Sequence, residues 1–129
     1  MLSIAYDGTN YYGFQKQKNK PTIQGKLEEA LNLLVGSYEL NYSGRTDAGV
    51  HAKSQIVNIK TDLILDSKKI SSLNKILGDS ISINSFKIVS SDFHARYGAT
   101  ERTYKYLVRD SKSNYPHLNK NTYQHYSLL

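Results

Sequence analysis

Two apolar stripes at helical spacing, set among short strand-like runs, constrain this chain most. Ile23, Leu27, Ala30, Leu31 and Leu34 recur every three or four residues, Thr22 stands where a helix is capped, and Gly36 closes the run. Ile70, Leu73, Ile76 and Leu77 repeat the pattern behind a capping Ser67, with Gly78 as the stop. Strands are predicted over residues 1–6, with Leu2, Ile4 and Tyr6 on one face, and over 38–43, 55–61 and 81–89. A further strand is expected from about Glu101 to Val108, with Tyr104, Tyr106 and Val108 sharing a face. The order strand, helix, strand, strand, helix, strand is that of the ferredoxin-like plait. The predicted class is therefore α+β. An antiparallel sheet carries two helices on one face, and its other face is left open for a ligand. Residues 1–109 form the folded body, and the polar stretch 110–129 reads as a connector.

Composition narrows the function classes. A chain of 129 residues suits one domain. Cysteine is absent, so no disulfide framework and no thiolate metal site is available. His51, His94, His117 and His125 lack the close pairing of zinc ligands, and no metal is expected. No apolar run approaches the roughly 20 residues of a membrane-spanning helix. The first ten residues lack the pattern of a signal peptide, so a cytoplasmic protein without membrane contact is expected. The formal charge of +6 attracts polyanions, an attraction that weakens with salt. Eleven tyrosines stand against no tryptophan. Tyrosine stacks on bases, but it also fills sheet surfaces.

The sharpest local feature is Gly44-Arg45-Thr46-Asp47-Ala48-Gly49-Val50-His51-Ala52, in the loop after the second strand. A carboxylate sits there between two glycines, which permit close backbone approach to a ligand. Arg45, two residues earlier, is placed to pair with Asp47 and hold it ionised. A positioned, ionised aspartate serves as nucleophile or base. A turn aspartate that satisfies its own backbone has the same local pattern.

The run GRTDAGVHA resembles the signature of the TruA family of tRNA pseudouridine synthases. Other stretches agree in order and spacing. Tyr6-Asp7-Gly8-Thr9 with Tyr12-Gly13-Phe14-Gln15 is similar to the family's opening motif, where Trp is common at the position of Phe14. Thr22-Ile23-Gln24-Gly25 with Leu27-Glu28 resembles its first helix. Phe93-His94-Ala95-Arg96-Tyr97, Ala99-Thr100, Arg102 and Tyr104-Lys105-Tyr106 resemble its late motif.

The resemblance implies an isomerase acting on tRNA without metal or organic cofactor. Asp47 would attack a flipped uridine at C6 of the base or C1′ of the ribose, and the base would rejoin through C5. Arg45 would pair with phosphate or occupy the vacated space. Tyr104 would stack on the base and assist loss of the C5 proton. Arg102 and Arg96 become candidate phosphate contacts. Gln15 and Lys16 lie in a basic loop placed to touch RNA. Tyr106 is read as core, His51 as a local hydrogen-bonding residue, and Asp7 as fixing the turn after the first strand. The target implied is the anticodon stem-loop, at tRNA positions 38 to 40.

Length is the departure. Members of the family resemble two related halves in a chain about twice this size, and only the first half matches. A second half would follow Leu129 and bring another basic residue to the aspartate. By itself the chain is expected to fold but to turn over poorly or not at all, and the full-length protein is expected to be a homodimer. Two other readings share the plait. One is a non-catalytic RNA-binding module; here the third strand, Gln55-Ile56-Val57-Asn58-Ile59-Lys60, lacks the aromatics on which such domains stack bases. The other is a domain binding a small molecule, which fold alone does not exclude.

Overall fold

The structure, a computed structural model, describes residues 1–126. The chain divides into two compact units, residues 1–99 and residues 100–129. The first holds β1 (Leu2–Tyr6), α1 (Ile23–Leu34), β2 (Glu39–Tyr42), β3 (Ala52–Lys60), α2 (Ser67–Leu77) and β4 (Ile81–Phe86). Its four strands form one antiparallel sheet in the order β2-β3-β1-β4. The central strands β1 and β3 are thus distant in sequence, as the plait requires.

Alternation along the strands decides which face is buried. Leu2, Ile4 and Tyr6 point to one side, opposite Val57 on β3 and beside Ile81 and Ile83 on β4. Ile23, Leu27, Ala30 and Leu31 of α1, with Ile70, Leu73 and Leu77 of α2, close over that side, so both helices share one core. Leu31 is fully enclosed, and truncating it to Ala costs about 2–5 kcal/mol. Thr22 caps α1 by accepting from Gly25 N at 3.1 Å. The cap of α2 is Asp66, not Ser67: its carboxylate accepts from Lys69 N at 2.8 Å, and Ser67 is the first helical residue. That hydrogen bond draws the Asp66 carboxyl below its ordinary pKa.

The opposite face is only partly open. Asn58 lies there, buried, and its Oδ1 accepts from Ala95 N at 2.8 Å. A buried amide needs a partner, and the segment after β4 supplies it by crossing part of this face.

The second unit contains β5 (Val108–Asp110), a 3₁₀ turn (Pro116–Leu118) and β6 (Tyr123–His125). β5 and β6 pair in parallel around Arg109, which donates to the Tyr115 carbonyl and to Asn119 Oδ1. The strand expected over 101–108 does not form: residues 101–107 have no regular structure, and strand begins at Val108. Tyr104, Tyr106 and Val108 do alternate, but alternation makes a strand only where a neighbouring strand takes up its hydrogen bonds. All three side chains are exposed.

Candidate active site

Three connections leave one end of the sheet: residues 7–22 after β1, 43–51 between β2 and β3, and 78–80 before β4. The first two carry the sequence motifs, and backbone joins them. Phe14 N donates to the Thr46 carbonyl at 3.0 Å, and Gly49 N donates to the Tyr11 carbonyl at 3.2 Å. These bonds require the chains almost in contact. A Cβ on Gly8 would stand 2.1 Å from the Val50 carbonyl oxygen. One on Gly13, itself at φ +85°, would stand 2.7 Å from the Thr46 carbonyl oxygen. Only glycine fits either place.

Side chains tighten the same joint. The Tyr6 hydroxyl, at the buried end of β1, shares a 2.8 Å hydrogen bond with Thr46 Oγ1. Gly8 N donates to His51 Nδ1 at 3.0 Å. With that lone pair engaged, the Asp7 oxygen lying 3.1 Å from the same nitrogen is served instead by Thr9 N. Phe14 is fully buried, with its ring 4.7 Å from Tyr42 and 6.1 Å from Tyr6, and so anchors the first loop in the core. The third connection joins through Asp7 N to the Ser80 carbonyl and through the Tyr11 hydroxyl to Ser80 Oγ.

Asp47 rides on this clasp. It is exposed, its carbonyl accepts from Val50 N in a tight turn, and its carboxylate has no hydrogen-bond or ion-pair partner among the described residues. The pairing with Arg45 suggested by their spacing is not made. Arg45 reaches across to the first loop, where Nη1 donates to Gln15 Oε1 at 2.8 Å. The structure therefore joins Asp47, Arg45 and Gln15 on two locked loops. An unpartnered carboxylate two residues along the chain from an arginine is equipped for nucleophilic or base chemistry at an anionic substrate.

Lys16 is directed elsewhere. Its ammonium pairs with Glu28 on α1, which raises its pKa, and its N–H donates to Gln24 Oε1 at 2.9 Å. Arg96 is exposed in the turn after Phe93, where its N–H donates to His94 Nδ1. Arg102 and Tyr104 belong to the second unit, and both are exposed. Among the described residues, no helix is long and apolar enough to cross a membrane, and no three His, Cys, Asp or Glu side chains gather as metal ligands.

The sequence reading missed the contacts that position the loop. Tyr6 and Thr46 are 40 residues apart, and no local pattern announces their bond. Gly8 and Gly13 were visible as motif glycines, but not the neighbours that require them.

A sequence profile described as tRNA pseudouridine synthase matches residues 2–98. Among curated proteins, one from Caldicellulosiruptor saccharolyticus named tRNA pseudouridine synthase A is 48% identical over 114 residues, covering 87% of this chain and 47% of that protein. Proteins of the same name from Thermoanaerobacter sp. and Borreliella burgdorferi are 42% and 43% identical, each covering 90% of this chain and 48% of their own length. The chain spans about half the length of the curated relatives it matches.

Proposed function

Since this chain belongs to the tRNA pseudouridine synthase family, we propose that it forms the aspartate-bearing half of an enzyme that isomerises uridine to pseudouridine in tRNA. The observation that carries this reading is the exposed, unpartnered Asp47 carboxylate on a loop fixed from both sides. A nucleophile must be held within a fraction of an ångström while its oxygen stays available, and this arrangement supplies both conditions.

In the proposed reaction a uridine of the anticodon stem-loop, at position 38, 39 or 40, leaves its stack and enters beside Asp47. The carboxylate attacks C6 of the base or C1′ of the ribose. The glycosidic bond breaks, the uracil turns, C5 bonds to C1′, the bond to Asp47 breaks and regenerates the carboxylate, and the C5 proton is lost while N1 gains one. Arg45, already extended over the loop, takes a flanking phosphate or fills the space the uridine vacates. Tyr104 stacks on the base and assists removal of the proton. Arg96 and Arg102 are further phosphate contacts, together with Gln15, which already faces Arg45. Lys16 contributes only if it leaves Glu28. The site is completed by a second half that adds another basic residue. The enzyme acts in the cytoplasm as a homodimer, and residues 110–129 lead toward that second half.

The test is release of tritium from tRNA labelled at C5 of uridine, with the full-length protein and its Asp47→Ala variant. Release by the wild type that vanishes in the variant supports the reading. No release from a folded, tRNA-binding wild type would overturn it in favour of a non-catalytic RNA-binding module. The 129-residue chain by itself is expected to fold and to release little or no tritium.

A further inference from the structure

Lys16, Lys18 and Lys20 crowd one short stretch of the first loop, yet they have different surroundings. Lys16 is neutralised by Glu28. Lys18 and Lys20 have no carboxylate within ion-pair reach among the described residues, and both are exposed. Like charges this close repel, so a chain that holds them together without a counter-charge gains when an anion arrives.

They are also held in place. Gln17 and Lys20 form an antiparallel bridge, and Asn19 turns the chain at φ 60°. Gln17 Nε2 donates to the Tyr12 carbonyl at 2.7 Å, and Tyr12 N donates to the Pro21 carbonyl at 2.8 Å. The Lys20 ammonium sits 4.9 Å from the centre of the Tyr12 ring, which leaves its donors available on the outer side. This small hairpin continues directly from Phe14 and Gln15, the residues bonded to Thr46 and Arg45. Arg45, Lys18 and Lys20 are therefore carried on hydrogen-bonded loops that also bear Asp47.

We propose that Lys18 and Lys20 are a phosphate-contact surface, taking the RNA backbone that flanks the nucleotide presented to Asp47, while Lys16 serves as a structural tie to α1. The assignment rests on the tRNA reading above. Ammonium groups without base-reading partners fix position rather than sequence, so the contact is expected to be insensitive to base identity.

The experiment measures how the affinity of the full-length protein for an anticodon-arm RNA falls with monovalent salt. Each phosphate contact contributes roughly 0.7–0.9 to the slope of log K against log salt. The Lys18→Gln/Lys20→Gln variant should lower the slope by roughly 1.4–1.8 and weaken binding at least about tenfold at low salt. Lys18→Arg/Lys20→Arg should restore the slope, and Lys16→Gln should leave it unchanged. The Lys18 and Lys20 variants are expected to melt as the wild type does. A Gln/Gln variant that keeps the wild-type slope overturns the proposal. If the wild type still releases C5 tritium in that case, the Asp47 reading survives and only the hairpin assignment fails. If the wild type releases none but the Gln/Gln variant loses slope, the hairpin stands as an RNA surface and the catalytic reading fails.

Discussion

Replacing Gly8 by alanine tests the clasp most sharply. The added methyl would stand 2.1 Å from the Val50 carbonyl oxygen and 2.8 Å from its carbon, where ordinary contact begins at 3.4 Å. The neighbour is backbone, so no side-chain rotation relieves the clash, and the chains must separate by about 1.3 Å. Val50 accompanies Asp47 in the same turn through its N–H bond to the Asp47 carbonyl, so the displacement reaches Asp47. Overpacking of this kind costs about 1–3 kcal/mol of stability. A nucleophile misplaced by about 1 Å loses on the order of 100-fold in rate. Urea unfolding of the 129-residue chain reads the first quantity, and C5 tritium release by the full-length variant reads the second. Gly8 lies outside the strands and helices, so circular dichroism should still report the native fold. An alanine variant with unchanged urea midpoint and wild-type turnover would refute the clasp.

Tyr6→Phe deletes the hydroxyl that holds Thr46, costing about 1 kcal/mol of stability and lowering kcat while KM for tRNA stays nearly unchanged; a raised KM with unchanged kcat would assign Tyr6 to binding instead. Thr22→Ala removes the cap of α1 and should cost about 1 kcal/mol in urea unfolding, while tRNA affinity stays unchanged. The Asp66 carboxyl has a folded-state pKa drawn below its ordinary 3.8 by the Lys69 N–H. Its contribution is therefore present above pH 3.8 and lost as pH falls through the lower folded value, so Asp66→Asn should flatten the acid limb of the urea midpoint below pH 3.8. An acid limb identical in both proteins would contradict the cap assignment.

The sheet-and-helix framework was legible because burial imposes a period. Ile23, Leu27 and Leu31 recur at helical spacing, Leu2, Ile4 and Tyr6 at strand spacing, and the structure buries all six. The cap of α2 was misread by one residue because Asp66 and Ser67 are both capable caps, and only the chain's path selects between them. The stretch 101–107 carries a strand's alternation without a strand's partner, and pairing is a property of the neighbour rather than of the segment. At the site, the GRTDAGVHA run marked the Asp47 loop, and adjacency suggested an Arg45–Asp47 pair. The fold brings Gln15 to Arg45 and Glu28 to Lys16 instead, across 30 and 12 residues of chain. No periodicity encodes such contacts; they follow from where β1, α1 and the β2–β3 loop meet.

In the proposed reaction Asp47 forms and breaks the bonds to substrate, while Tyr6, Gly8, Gly13 and Thr46 hold its loop in place. This division of roles is tested most directly by single-turnover C5 tritium release with full-length wild type and Asp47→Asn, an isosteric change that keeps the loop and removes the charge. No detectable release by the variant is expected, with its affinity for tRNA within about twofold of wild type. Release by Asp47→Asn at a rate near that of the wild type would contradict this division of roles.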